Sequence, residues 1–211
     1  MSETASGPAL SKTHKFTIEV DRELCFGFGD CVDSAPGVFE LDGVIDSPTW
    51  TFDYPFDPKM GAAIGGVMGG SKAILLGRRT YEEFMPAWSG RTVDDDPGAP
   101  FFNESRKYVV SSTLESADWN NSTILGPYEA EKIRSLKDEV DGDIYVSGSG
   151  TLVRAMLADG LVDELHLFVF PLALGSGKRL FTESGAPTKL ALAGAEAYDS
   201  GVVHLAYRSA G

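Results

Sequence analysis

Short apolar runs alternate with helical patterns from about Ala73 to the end of the chain. Runs of β-branched, aromatic and aliphatic residues predict three strands, at residues 73–76, 107–110 and 143–146. Apolar residues at helical spacing predict helices over 129–138 and 151–159, and Gly160 is expected to end the second. Because strands and helices follow one another in turn, the pattern predicts an α/β domain with a mostly parallel central sheet flanked by helices.

The last fifth of the chain has a different pattern. Residues 164–174 predict a long strand that Pro171 interrupts near its end. Residues 190–208 predict a hairpin that turns at Asp199–Gly201, which would add a C-terminal antiparallel edge to the sheet. The acidic stretch 91–106 contains proline and glycine and is expected to be a surface loop.

Residues 58–71 carry apolar side chains at helical spacing but also glycines at 61, 65 and 69. Each of these glycines would destabilise a helix by about 1 kcal/mol relative to alanine. A neighbouring element packed closely against the glycines is the expected compensation, and a ligand against the same face is the alternative.

Composition and charge exclude several classes of function. The chain has 211 residues, 43% hydrophobic and 23% charged, which is a globular composition. Eighteen basic against 31 acidic residues give a net charge of -13, so we expect no nucleic-acid partner. A local basic pocket for a phosphorylated small molecule stays compatible with this charge. No apolar run is long enough to cross a bilayer, and residues 1–13 read as a flexible lead without a signal pattern. We therefore expect a cytoplasmic protein with no membrane partner.

Three of the predicted strands end in turns of small, hydrogen-bonding residues. The turns are GRRT at 77–80, SST at 111–113 and SGSG at 147–150. In open α/β sheets ligands bind beyond the carboxyl ends of the strands, where glycines and helix N-termini can approach a phosphate. The three turns together predict one phosphate-bearing ligand. The alternative is three ordinary turns, since SGSG is not the GxGxxG dinucleotide motif.

No catalytic or metal motif stands out. The three histidines, His14, His166 and His204, are scattered, and neither a GxSxG nor a zinc-ligand spacing occurs. We predict no metal, and a reaction whose chemistry a bound cofactor carries.

Four segments resemble one known family in combination: 74–84 (ILLGRRTYEEF), 107–115 (KYVVSSTLE), 143–181 (DIYVSGSGTLVRAMLADG and the strand after it) and 200–208 (SGVVHLAYR). LDGVIDSPTW at 41–50 is similar to the substrate-side segment of the same family. This is the dihydrofolate-reductase-like family typified by the C-terminal reductase domain of the bifunctional riboflavin-biosynthesis deaminase-reductase. The resemblance covers roughly residues 41–211.

The resemblance implies a dihydrofolate-reductase-like fold, NADPH as hydride donor and a pterin-like or aminopyrimidine small-molecule substrate. It also implies a homodimer. The residues that would contact the cofactor phosphates are Gly77, Arg78, Arg79 and Thr80. Ser111 and Ser112 would lie near the adenosine ribose. The pyrophosphate would be bound by Gly148, Ser149, Gly150 and Thr151.

On the substrate side the resemblance places Asp42 and Gly43 near the nicotinamide and the substrate. The candidate proton donors are the aspartates Asp42, Asp53 and Asp57, with an exposed loop position as the alternative for the last two. A stretch of aromatic residues would stack on a flat heterocycle or cap the core: Trp50, Phe52, Tyr54 and Phe56.

The segment before residue 43 departs from the family. Residues 20–42 resemble the first half of a small bacterial ferredoxin, yet only Cys25 and Cys31 are present, and a cluster needs at least three thiolates. We expect both thiols to be free in a reducing compartment. The predicted organisation is a lead over 1–13, an atypical segment over 14–42 and the reductase domain over 43–211. The first strand of the domain would come from 15–21 or from 37–41.

Two rival functions follow from these observations. One is an iron-sulfur electron-transfer module that uses Cys25 and Cys31. The other is a nucleotide-binding protein that has kept the fold and lost turnover.

Overall fold

The computed structural model describes residues 45, 51, 53–172, 176–181 and 187–210. This part of the chain forms five helices and seven strands. The helices are α1 (Pro58–Gly70), α2 (Arg78–Trp88), α3 (Ala99–Glu104), α4 (Ala130–Glu139) and α5 (Gly150–Ala158). The strands are β1 (Ser71–Gly77), β2 (Arg106–Val110), β3 (Ser122–Gly126), β4 (Asp143–Val146), β5 (Glu164–Val169), β6 (Leu190–Ala197) and β7 (Val203–Ser209).

Four strands form a parallel sheet in the order β3-β2-β1-β4. Strand β1 lies between two neighbours, and its residues 73–76 are fully buried because helices cover both faces of the sheet. On one face Ile74 and Leu76 pack with Tyr81 and Phe102 of α2 and α3. On the other face Leu75 packs with side chains of α4 and α5. The predicted α/β fold with a helix-flanked parallel sheet is confirmed.

A second sheet is antiparallel, with the order β5-β7-β6. The predicted C-terminal hairpin is confirmed: Tyr198 N–H donates to Val202 O at 2.8 Å, and Gly201 takes a φ of 84° within the turn. Its predicted place at an edge of the parallel sheet is wrong, because β7 pairs with β5 and β6 in a separate sheet. Strand β5 joins this hairpin. It ends at Val169, earlier than the predicted end at residue 174. Residues 173–175 lie outside the described part.

The expected surface loop at 91–106 is wrong in part, because it contains α3. Gly98 precedes this helix, and Pro100 stands in its first turn, where a missing N–H costs nothing. The helix forms because Phe102 is buried against Trp88, with ring centroids 4.3 Å apart. Strand β3, which lies at one edge of the parallel sheet, has no counterpart in the sequence prediction.

The close-packing prediction for the glycines of α1 is also wrong for two positions. Among the described residues, nothing lies within 4 Å of a methyl group built on Gly65 or Gly69, whereas one on Gly61 would meet the Phe56 ring at 2.8 Å. The helix itself and its start at residue 58 are confirmed.

The predicted end of α5 is confirmed. Gly160 has a φ of 65°, a left-handed conformation that glycine adopts without strain. Its N–H donates to Leu157 O at 3.2 Å, and Leu161 N–H donates to Met156 O at 2.8 Å. These two bonds form a Schellman motif, which satisfies carbonyl groups at the end of the helix.

Candidate functional site

The three turns singled out in the sequence lie along one edge of the parallel sheet. Strands β2, β1 and β4 are adjacent and parallel, so the residues that follow Val110, Gly77 and Val146 share the carboxyl edge. From β1 the chain adds β2 and β3 on one side, and it then crosses to place β4 on the other side. This reversal puts a switch point between β1 and β4, which is where open α/β sheets bind ligands.

Hydrogen bonds join the turns on either side of the switch point. Ser149 N–H donates to Thr80 Oγ1 at 3.0 Å, and Gly77 N–H donates to Ser149 Oγ at 3.0 Å. The same hydroxyl donates to Ser147 O at 3.0 Å. The side chains of Thr80 and Ser149 therefore hold the two turns against each other. In this structure their hydroxyls stabilise the backbone of the edge.

The backbone of the SGSG turn is left-handed at two successive residues. Gly148 has a φ of 52° and Ser149 a φ of 53°. The second value is costly for a residue with a Cβ, and such strain is concentrated at functional sites. Here the hydroxyl bonds to Gly77 and Ser147 hold Ser149 in this conformation.

Two helices begin at this edge without a side-chain cap. Helix α2 follows Gly77 and α5 follows Ser149, and neither N-cap residue accepts a side-chain hydrogen bond from the first N–H groups of its own helix. The first N–H groups of a helix have no partner within the helix and carry the positive end of its dipole. Two such ends beside one another favour a ligand with negative charge, above all a pyrophosphate.

The two arginines that were predicted to contact the cofactor phosphates lie at the start of α2 and point into solvent. Arg78 pairs with Glu82 at 3.0 Å and Arg79 with Glu83 at 3.4 Å, each one helical turn apart. These exposed pairs are worth only about 0.3–0.5 kcal/mol each. A phosphate could therefore replace either glutamate at little cost.

The third turn, at residues 111–113, is stabilised by hydrogen bonds within itself rather than by bonds to the other two turns. Ser111 is buried, and its hydroxyl accepts hydrogen bonds from Thr113 N at 3.1 Å and Leu114 N at 2.9 Å. The side chain thus shapes its own turn, whereas the neighbouring Ser112 is exposed.

Arg154 is a residue of this edge that the sequence interpretation missed. It lies half-buried on α5, where its Nη1 donates to Arg179 O at 2.8 Å and its Nη2 to Thr151 Oγ1 at 3.1 Å. The signal was one charged residue in the otherwise apolar helix TLVRAML. Gly150 is tightly packed as well, because a methyl group there would collide with Ile45.

The described part of the substrate side lies at the start of α1. Asp57 is the N-cap of this helix and accepts a hydrogen bond from Lys59 N at 2.8 Å. Phe56 is 67% exposed and Asp53 is exposed. Tyr54 packs edge-on against Phe170. Asp42, Gly43, Trp50, Phe52, Cys25 and Cys31 lie outside the described residues, as do the segments 1–13, 15–21 and 37–41.

The hairpin turn between β6 and β7 packs against this region. Tyr198 is buried with Met60, Phe170 and Val202, and its hydroxyl oxygen has no hydrogen-bond partner among the described residues. Burial raises the pKa of Tyr198, and the nearby charges of Glu196 and Asp57 raise it further. The tyrosine is therefore neutral in the physiological range and close to the candidate proton donor Asp57.

Among the residues with described positions, no three His, Cys, Asp or Glu side chains are grouped so that they could hold a metal ion. The helices in this part of the chain are too short or too polar to span a membrane.

Comparison with known proteins assigns the family. The sequence pattern of the RibD C-terminal domain matches residues 39–204. The chain belongs to the RibD C-terminal domain family. The resemblance seen in the sequence is thus confirmed.

Relatives of this family member are found in Bacillus subtilis (strain 168). The uncharacterized protein YyaP is 28% identical over 176 residues, which are 79% of this chain and 89% of YyaP. The uncharacterized protein YwjB is 28% identical over 129 residues, 61% of this chain and 69% of YwjB.

Solved structures agree with the family. A Shewanella sp. PV-4 protein assigned by name to riboflavin biosynthesis superposes with a TM-score of 0.65 at 19% identity, over 80% of this chain and 93% of that one. Acinetobacter baumannii RibD gives 0.55 at 14% identity, over 80% of this chain and 55% of RibD. This RibD C-terminal domain therefore has a reductase-like fold.

Proposed function

We propose that the protein is an NADPH-dependent reductase that transfers hydride to a pterin-like or aminopyrimidine small molecule of the riboflavin-pathway type. The observation that carries the proposal is the pair of uncapped helix N-termini at the β1/β4 switch point in a chain of the RibD C-terminal domain family.

The residues at this edge fit a dinucleotide. The N–H groups at the start of α5, around Gly150 and Thr151, suit the pyrophosphate because the turn before them is fixed by Thr80. Gly148 is exposed and has no side chain, so the backbone can approach the phosphates closely. NADPH, when bound, supplies the hydride.

The arginines at the start of α2 suit the extra phosphate that distinguishes NADPH from NADH. Arg78 and Arg79 lie at adjacent positions at the N-terminus of a helix, and a guanidinium binds phosphate in a bidentate manner. Binding exchanges the weak pairs with Glu82 and Glu83 for contacts with a doubly charged group. This role of Arg78 and Arg79 predicts that the protein binds NADPH more tightly than NADH.

On the substrate side the proposal assigns proton transfer to Asp57 or Asp42. It assigns substrate binding to Phe56, which would stack on a flat ring, and to Asp42, Gly43 and Trp50. A carboxylate near a ring nitrogen can deliver a proton as hydride arrives at the neighbouring carbon. An exposed aromatic ring such as Phe56 is available for a planar heterocycle.

Asp57→Asn tests the catalytic assignment directly. Asparagine caps a helix as well as aspartate does, so the variant should keep the melting temperature of the wild type. If Asp57 delivers the proton, turnover of NADPH with a panel of pterins and aminopyrimidines falls about a hundredfold. Unchanged turnover would leave Asp57 as a helix cap only.

The same assay tests the reductase proposal as a whole. Oxidation of NADPH by the wild type with at least one member of the panel is the expected result. If the protein binds NADPH but oxidises it with no substrate of the panel, the result would favour the alternative of a nucleotide-binding protein that has lost turnover. Iron-dependent visible absorbance after anaerobic reconstitution would favour the electron-transfer module of Cys25 and Cys31.

A further inference from the structure

An arginine without a carboxylate partner lies beside the nucleotide edge (Gly77–Thr80 and Gly148–Thr151), to which the proposed function assigns the cofactor. Arg154 is half-buried on α5 and makes no ion pair with any residue that the structure describes. By contrast, the exposed Arg78 and Arg208 each pair with a glutamate. A half-buried cation is screened less by water than an exposed one, so its charge acts more strongly on a nearby ligand.

The Arg154 guanidinium reaches back to the first turn of its own helix. Side chains of a helix lean toward its N-terminus, so a residue covers the turn before its own Cα. A methyl group built on Gly150, the first residue of α5, would lie 3.8 Å from Arg154 Nη1. Because the N-terminus of a helix already carries partial positive charge, the arginine places like charges side by side. An anion bound at this end of α5 would be attracted by both.

Two hydrogen bonds hold the guanidinium in this position. Its Nη1 donates to Arg179 O at 2.8 Å, and its Nη2 donates to Thr151 Oγ1 at 3.1 Å. The segment that carries Arg179 is anchored in turn, since Ile45 N–H donates to Lys178 O at 2.6 Å. The arginine side chain is therefore ordered before a ligand arrives, which lowers the entropy cost of binding.

The bond to Thr151 determines what the threonine hydroxyl can do. A hydroxyl has one hydrogen to donate and lone pairs to accept with, whereas a guanidinium can only donate. The Thr151 oxygen therefore accepts from Arg154, and its own hydrogen stays available. Thr151 is exposed, and no residue in the described part of the chain accepts that hydrogen. The hydroxyl is thus a donor beside the first N–H groups of α5.

We propose that Arg154 is a positioning residue for the pyrophosphate of the cofactor. It holds the Thr151 hydroxyl so that its hydrogen can be donated to a phosphate oxygen, and its own charge adds to that of the helix N-terminus. This inference rests on the proposed function, because it requires a dinucleotide at the nucleotide edge. Arg78 and Arg79 would recognise the phosphate that NADPH alone carries, whereas Arg154 acts on the pyrophosphate that NADPH and NADH share.

The affinities of the full-length protein for NADPH and NADH, measured by isothermal titration calorimetry, separate the two roles. Arg154→Gln should weaken both affinities about tenfold, because a charged donor is lost, and should leave their ratio unchanged. Arg208→Gln removes the same charge from the other sheet and should change neither affinity. Unchanged affinities in Arg154→Gln, or weaker binding of NADPH alone, would overturn the inference. A wild type that binds neither dinucleotide would overturn the proposed function, and this inference with it.

A double-mutant cycle with Thr151→Val tests whether Arg154 acts through the hydroxyl. Thr151→Val changes an exposed side chain, so this variant should fold even if Arg154→Gln does not. It should weaken NADPH and NADH about tenfold, because a donor to a charged group is lost. The double variant should bind within about twofold of Arg154→Gln, since the two side chains act as one unit. Unchanged affinities in Thr151→Val, or additive losses of about a hundredfold in the double variant, would contradict the assignment.

Discussion

At the residue scale, the backbone conformation of Gly148 requires a glycine at the nucleotide edge. Its φ of 52° is left-handed, and a methyl group there would lie 3.4 Å from Thr80 Oγ1. Gly148→Ala should therefore lower the free energy of unfolding by about 1–2 kcal/mol. Thermal and urea unfolding measure the change.

Gly65→Ala is the matched control for this substitution. Gly65 lies within α1, and a methyl group there has open space. The same chemical change should stabilise the protein by about 1 kcal/mol, because alanine favours helix. Two effects of the same sign would refute this account of the glycine conformations.

Lys107 is a buried cation that three carbonyl oxygens and the face of the Trp119 ring surround. Burial lowers the pKa of its ammonium from 10.5 to about 8. The folded state therefore releases this proton at a lower pH than the unfolded state does. Its contribution to stability is complete above 10.5 and is lost as the pH falls through about 8.

Lys107→Met removes this titration. The stability of the wild type relative to the variant should rise as the pH increases from about 8 to 10.5. Urea unfolding across this range measures the difference. Lys59→Met, which removes a lysine from an exposed position on α1, is the matched control. A stability difference that does not change with pH would contradict the assignment.

At the scale of elements, a pair of histidines joins β5 to β7. His166 Nδ1 and His204 Nε2 are 3.0 Å apart, which requires that one ring nitrogen be unprotonated and accept. The His204 ring also stacks on Phe168 at 4.6 Å. Burial lowers the pKa of His204, and the charge of His166 lowers it further, against the opposite effect of Glu196. Double protonation would place two cations side by side within the sheet.

Acid should therefore weaken the antiparallel sheet. Because the pKa of His204 is lowered in the folded state, its contribution to stability is lost as the pH falls through that value. His204→Gln keeps a donor for His166 without a titrating ring. The variant should lose less stability than the wild type between roughly pH 7 and pH 5. Equal losses in urea unfolding would show that the pair has no part in the acid response.

The sequence predicted those elements whose local pattern agrees with their burial. Strand β1 is apolar over residues 73–76 because both faces are covered, and α5 has both an apolar stripe and the glycine that ends it. The helix α3 and the strand β3 were missed for the opposite reason. Phe102 stabilises α3 through contacts with Trp88 and Tyr145, which are distant in sequence. Strand β3 (STILG) is short, and pairing with β2 specifies it.

The sequence predicted where the candidate site lies in the fold, but it did not predict the hydrogen bonds within the site. The strand-end turns were predicted to share an edge, and they do. The hydrogen bonds that assign Ser149 and Ser111 to backbone support depend on contacts between turns or on a local turn geometry. The same holds for Arg154, whose partner Arg179 lies in a later segment.

At the scale of the whole molecule, we propose a homodimer, as the family resemblance implies. Strand β6 is exposed along seven of its eight residues, and Leu192 is 59% exposed. Sedimentation should show a concentration-dependent dimer. Leu192→Glu should shift the equilibrium toward monomer if this strand takes part. A wild type that remains monomeric at every concentration would remove the proposal.

The central claim is that the edge formed by Gly77–Thr80 and Gly148–Thr151 binds NADPH. Titration with NADPH and NADH, followed by nicotinamide fluorescence, tests it most directly. We expect the wild type to bind NADPH more tightly than NADH, and Arg78→Ala to weaken NADPH binding about tenfold with little effect on NADH. Arg208→Ala, which removes a charge far from this edge, should leave both affinities unchanged. Failure of the wild type to bind NADPH, or equal binding of the two cofactors with no effect of Arg78→Ala, would contradict the account.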